Sequence, residues 1–160
     1  MKTDGIVDRF ISALRQEGIE VEPHSNGPCV VSLESKLPRR FPASYASLLS
    51  RYRFGAFERG GIAFFGNTGE RCEDDLEVAI FADRHLSEPL LRGGLLQVGR
   101  PSTGAYDPVC FDSRERKNRA EYALVVLEHE AVLQSQRLVV VRRVDDSFLS
   151  FMLHNGSGTA

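Results

Sequence analysis

The stretch Leu95-Leu96-Gln97-Val98-Gly99-Arg100-Pro101-Ser102-Thr103-Gly104-Ala105-Tyr106-Asp107-Pro108-Val109-Cys110-Phe111 decides the fold class. Residues 95–98 and 107–111 are apolar runs of strand length. The Pro101-Ser102-Thr103-Gly104 segment between them is turn chemistry. Two runs of this kind with a short link pair antiparallel. Downstream, residues 122–127 and 137–144 are further strands. Upstream, residues 54–58 and 62–66 are two more, and Gly60-Gly61 predicts a tight hairpin between them. A short strand is also expected over Cys29-Val30-Val31-Ser32-Leu33.

Helical spacing occupies the remaining segments. Ile6, Val7, Phe10, Ile11 and Leu14 form one stripe over residues 3–17, and Phe41, Tyr45, Leu48, Leu49 and Tyr52 form another behind Pro42. Residues 74–86 are a third helix, broken before Pro89. Asp145-Asp146-Ser147 caps a last one containing Phe148, Leu149, Phe151 and Met152. The expected architecture is α+β: a single domain over residues 1–153, with a mainly antiparallel mixed sheet of about six strands and helices packed on it. Residues 154–160 are expected to be a disordered tail.

The 160-residue length suits one domain, and ten Phe with no Trp assign much of the core to Phe. A formal net charge of −2 is not that of a general nucleic-acid binder. The charge is uneven, however. Residues 36–59 hold six basic residues and one acid, a net of +5, and residues 70–88 hold seven acids and two arginines, a net of −5. Such a dipole either marks two solvated faces or steers a charged partner. Cys29, Cys72 and Cys110 are odd in number and have no CxxC spacing, so neither a disulfide framework nor a zinc site is expected. The N-terminus lacks the apolar core of a signal peptide, and no run reaches the length of a membrane span. The expected location is the cytoplasm, with no membrane contact.

Catalytic motifs are sparse. Glu128-His129-Glu130 at a strand end offers two carboxylates and an imidazole, but alternation puts the glutamates on one face and His129 on the other. Cys110 could pair with His129 as nucleophile and base, yet it sits between Val109 and Phe111 in a strand that the sequence marks as buried. Asp107 and Asp112 could join Glu128 and His129 in an unrecognised site. No GxSxG, SxxK, GxGxxG or Walker motif is present. Neither a cofactor nor a metal is expected. Arg114, Arg116, Lys117 and Arg119 form a basic loop without the aromatic platform that single-strand binding needs.

Five segments, in order, resemble the SUKH superfamily, the Smi/Knr-like fold of bacterial immunity proteins and fungal cell-wall regulators. Leu37-Pro38, Phe41-Pro42, Tyr45, Leu48-Leu49 and Tyr52 resemble its "LP…fP..y..ll..yr" helix. Phe54-Gly55 to Phe64-Phe65-Gly66 resembles its glycine-bearing hairpin. Residues 95–100 followed by Gly104-Ala105-Tyr106-Asp107-Pro108-Val109-Cys110-Phe111-Asp112 resemble its "pfg…GdydpvcfD" strand pair. Leu127-Glu128-His129-Glu130 resembles "v..wdHe", with Leu127-Glu128 where Trp or Tyr-Asp is common. Ser147-Phe148-Leu149-Ser150-Phe151 resembles "SFeeFl". The resemblance spans roughly residues 28–153. It implies a non-catalytic immunity protein of a polymorphic toxin system, such as contact-dependent inhibition. Such a protein neutralises a cognate toxin domain, often a nuclease or deaminase, by steric occlusion. It equally allows a regulatory scaffold for endogenous proteins.

On that reading the expected partner is a protein toxin, with no direct nucleic-acid binding, and the chain is a monomer or weak dimer. The expected partner-binding residues are Glu70, Glu73, Asp74, Asp75, Glu77, Arg100, Tyr106 and Asp107. The acidic segment would mimic phosphates toward a basic toxin surface. A cleft bordered by the 99–104 and 114–119 loops would receive it, with Tyr106 and Tyr52 as aromatic anchors.

Overall fold

The computed structural model describes residues 2–24, 29–115 and 120–157. The chain is α+β, with helices on both faces of a six-stranded antiparallel sheet. That sheet is a meander of β3 (Phe57–Arg59), β4 (Ile62–Phe64), β5 (Leu95–Pro101), β6 (Val109–Asp112), β7 (Ala123–Leu127) and β8 (Val140–Asp145), in that spatial order. A separate ribbon pairs β1 (Val21–Pro23) with β2 (Tyr52–Phe54). Every ladder is antiparallel, so the expected mixed character resolves to a purely antiparallel sheet.

The central strands are buried on both faces, which is why β7 is a continuous apolar run with no alternation. One face carries Phe64, Leu96, Val98, Val109, Phe111, Leu124 and Val126 against α1 (Thr3–Gln16), α3 (Ala43–Arg51) and α7 (Phe148–Asn155). At its centre lies the fully buried Phe148 ring. It meets the rings of Phe10, Tyr45, Phe64, Phe111 and Phe151 at centroid distances of 5.1 to 6.2 Å. Phenylalanine therefore does carry this core. The other face carries Leu95, Cys110, Ala123, Val125 and Leu127 against Leu86 and Leu90 of α5 (Arg84–Arg92) and Val132 of α6 (His129–Ser135).

Several local expectations change. Residues 29–33 are not a strand but the start of α2 (Cys29–Glu34), with Val30 and Leu33 buried one helical turn apart and Val31 71% exposed. A short apolar run fits either period, and packing against α3 chose the helix. Tyr52 leaves the helical stripe and opens β2. Residues 74–86 divide into α4 (Leu76–Phe81) and α5 at Asp83, whose carboxylate accepts the His85 N–H at 3.0 Å and starts the second helix. Pro89 lies inside α5 rather than interrupting it. Glu128-His129-Glu130 is the start of α6, not a strand end, so the alternation argument does not apply there.

Part of the expected tail is ordered. His154 and Asn155 belong to α7, and the largely buried Arg59 donates to the Asn155 carbonyl at 2.7 Å and the Ser157 carbonyl at 3.2 Å while pairing with Glu17. Residues 158–160 of the tail and Arg116, Lys117 and Arg119 of the basic loop lie outside the described residues. Among the described residues, no helix is long and apolar enough to cross a membrane.

Candidate functional site

The second helix layer is short. α5 and α6 cover Leu95, Cys110 and β7, and leave the same sheet face open at β3, β4 and the end of β5. A cleft of about 410 Å³ occupies that opening. Its floor is a row across three strands, Glu58 opposite Ala63 and Ala63 opposite Arg100. One wall is Phe65 and Asp74, and the other is the turn through Ser102, Gly104, Ala105 and Tyr106.

Two backbone devices build this floor. Gly60 and Gly61 both have positive φ, +58° and +78°, and close the β3–β4 hairpin in two residues, as the strand twist requires. Gly99 sits where a Cβ would come within 2.4 Å of the Ala63 carbonyl oxygen, so only glycine lets β5 approach β4 here. Next to it the β5–β6 register shifts by one residue, a bulge at Val98-Gly99. Leu96 and Val98 point into the larger core, and strict alternation would send Arg100 after them. The bulge turns Arg100 to the opposite face and into the cleft.

Arg100 is half-buried. Its guanidinium carbon lies 5.6 Å from the centroid of the Phe65 ring, a cation–π arrangement, and no carboxylate among the described residues pairs with it. Tyr106 is 68% exposed, and its ring lies 5.9 Å from the His129 ring at a 35° tilt. The Asp107 carboxylate accepts the His129 backbone N–H at 2.9 Å. That bond fastens the turn to the first amide of α6, whose N-cap residue Glu128 makes no side-chain cap of its own.

The eight expected residues therefore separate. Asp74, Arg100 and Tyr106 meet in the cleft, and Glu58, which the sequence did not single out, joins them. Asp107 positions the turn from behind. Glu70 and Glu73 are exposed on the loop before α4. Asp75 is buried: it is the N-cap of α4 and accepts the Gly69 N–H at 3.2 Å, and burial raises its carboxyl. Glu77 is engaged by Lys36. Asp75 and Glu77 line a different, small cavity with Leu33 and Leu49. The acidic segment is not one surface.

Pairing also reduces the charge dipole. Lys36 binds Glu77, Arg51 binds Asp8 at 2.7 Å and Arg59 binds Glu17, leaving Arg39, Arg40 and Arg53 without a carboxylate partner among the described residues. Tyr52 donates to the same Asp8 at 2.6 Å and ties β2 to α1, so it is a structural tether, not an exposed anchor. The two expected loops do not border one cleft. The 102–108 turn joins the end of β5 to the start of β6, whereas Arg114 and Glu115 follow the other end of β6, so the strand separates them.

The residues weighed for catalysis do not converge. Asp107 and Asp112 sit at opposite ends of β6. Burial raises the Asp112 carboxyl, but hydrogen bonds from Arg114 outweigh it and the net shift is downward. Cys110 is fully buried, and burial pushes its thiol far above the usual range. Among the described residues no group of three His, Cys, Asp or Glu is arranged to hold a metal ion. No protein-family model matches the chain, and no curated protein matches it.

Proposed function

We propose that this chain is a non-catalytic binding module, an immunity protein that captures a cognate toxin domain in the cytoplasm and blocks it by steric occlusion. One observation carries the reading. The uncovered end of the sheet forms a cleft that gathers an arginine and two carboxylates with no ion-pair partner among the described residues, together with an exposed tyrosine. Tyr and Arg in a partly desolvated depression are the residue types that dominate protein–protein binding energy. Asp74 in the cleft wall and the exposed Glu70 and Glu73 on the loop that carries it favour a partner with a basic surface, as a nuclease has, and would speed its arrival. The segment-by-segment resemblance to the SUKH superfamily supports the same reading.

The test is a tagged pull-down from the native strain at low and high salt, followed by co-expression with whatever is captured. One stoichiometric, salt-sensitive toxin domain whose toxicity this chain cures is the expected result. Recovery of endogenous regulatory or cell-wall proteins alone, or of nothing, overturns the immunity reading.

A further inference from the structure

We propose that Arg100 is a receptor for a side-chain carboxylate carried on an extended segment of the partner, a segment that also presents a basic residue to Glu58. The inference rests on the binding reading above and specifies its chemistry. Arg100, Ala63 and Glu58 stand in one row across β5, β4 and β3. Adjacent strands lie about 4.8 Å apart, so the Arg100 and Glu58 backbones are separated by about 10 Å. Only the methyl group of Ala63 stands between them. Neither charge has an ion-pair partner among the described residues. The Arg100 guanidinium has given up part of its water to the Phe65 ring without gaining an anion.

A guanidinium edge offers a fork of N–H donors that matches a carboxylate. Glu58 and Asp74 line the same cleft and would repel a dianionic phosphate. A singly charged carboxylate followed by a cation satisfies Arg100 and Glu58 and is repelled less by Asp74 than a phosphate would be. The occupant is an internal segment rather than a chain end, because a basic residue must follow the carboxylate to reach Glu58, and a second depression of about 420 Å³ lies next to the cleft. The two share Glu58 and Ser102, and the second continues to His154 and Asn155.

The experiment follows the Arg100 Nε–Hε signal of the ¹⁵N-labelled full chain, assigned by its loss in Arg100→Gln. Four probes are titrated: acetyl-Gly-Asp-Gly-Lys-amide, the same peptide with Asn for Asp, the Asn peptide with a free C-terminal carboxylate, and inorganic phosphate. The expected result is a saturable shift with the blocked Asp peptide, about tenfold tighter than with the blocked Asn peptide. Glu58→Gln weakens it, and Arg100→Lys, which keeps the charge but loses the fork and is followed through the Ala63 and Phe65 backbone amide shifts, falls between wild type and Arg100→Gln. An equal response to the Asn peptide, a tighter response to the free terminus or to phosphate, or no response overturns the proposal. Thermal melts show that each variant is folded. Failure of the functional reading is a separate result: wild type then captures no toxin, whereas toxin capture unchanged by Arg100→Gln overturns this inference alone.

Discussion

The Asp107 carboxylate accepts the backbone N–H of His129 at 2.9 Å across twenty-two residues of chain. This single bond joins the β5–β6 turn to the start of α6 and holds Tyr106 at the mouth of the cleft. Asp107→Ala leaves the first amide of α6 without its partner. The expected cost is about 1 kcal/mol, the usual value for a lost helix cap, read as a lower urea midpoint. Hydrogen exchange at His129 should quicken. Asp107→Asn keeps an acceptor and should retain most of the stability. An unchanged midpoint in Asp107→Ala would show that the bond contributes nothing.

Neighbouring acids should behave in opposite ways. Asp74 is exposed on the cleft wall and Asp75 is buried at the α4 N-terminus. Asp75→Ala should destabilise by about 1–2 kcal/mol, since it leaves the part-buried Gly69 N–H without its acceptor. Asp74→Ala should stay within about 0.5 kcal/mol of wild type. The triple change Glu70→Lys, Glu73→Lys and Asp74→Lys should slow association with a basic partner at low salt, with the difference fading as salt rises. Equal association rates for the triple variant and wild type at low salt would remove the steering role.

Tyr45 is wholly buried, yet its hydroxyl has no hydrogen-bond partner among the described residues. Its ring packs on Phe41, Phe111 and Phe148 at 5.2, 5.0 and 5.1 Å. Tyr45→Phe keeps those contacts and deletes the unsatisfied group. Stability should hold or rise by about 1 kcal/mol, whereas Tyr45→Ala should cost about 3–5 kcal/mol through the cavity it leaves. A destabilised Tyr45→Phe variant would reveal a partner for the hydroxyl in solution.

Stability should pass through a maximum in mild acid. Burial raises the Glu121 carboxyl, although Ser44 donates to it through its backbone N–H at 3.1 Å and its hydroxyl at 3.0 Å. Asp75 is raised in the same way. A carboxyl raised on folding binds its proton more tightly in the folded state, so stability grows as pH falls from neutral toward the unfolded values near 4. Asp112 and Asp145 move the other way. In each, burial raises the carboxyl but hydrogen bonds outweigh it: from Arg114 for Asp112, and from Ser150, His154 and the Asp146 N–H for Asp145. Their contribution is present above about pH 4 and is lost as pH falls through their lowered folded values. Urea midpoints from pH 7 to pH 2.5 should rise and then drop, and Glu121→Gln should flatten the rise. A steady decline from pH 7 would contradict the assignment.

The fold class was legible because its signals are local and mutually consistent. The strand runs around 95–111 and 122–144, the Gly60-Gly61 turn and the helical stripes of α1 and α3 each carry their own period. Short segments were less legible. Residues 29–33 fit either period until α3 packed against them, and α6 was hidden because its start, Glu128-His129-Glu130, follows a buried strand directly, with no Gly or Pro between them, and the helix is only seven residues long. The acidic run 70–77 looked uniform in sequence, but the chain buries Asp75, pairs Glu77 and exposes the others, since burial depends on what the fold places beside each side chain.

The cleft shows the same division most sharply. By itself the sequence determined that β4 and β5 are strands and that a turn rich in Pro, Ser and Gly follows Arg100. Strict alternation would have sent Arg100 into the core beside Leu96 and Val98. Only the tertiary structure decided otherwise. The register shift at Val98-Gly99 is set by how closely β5 can approach Ala63, and one extra residue in one strand turns the next side chain to the opposite face. Glu58 became part of the site for a related reason: the second helix layer ends before it reaches β3, and no residue-by-residue pattern records where a distant layer stops.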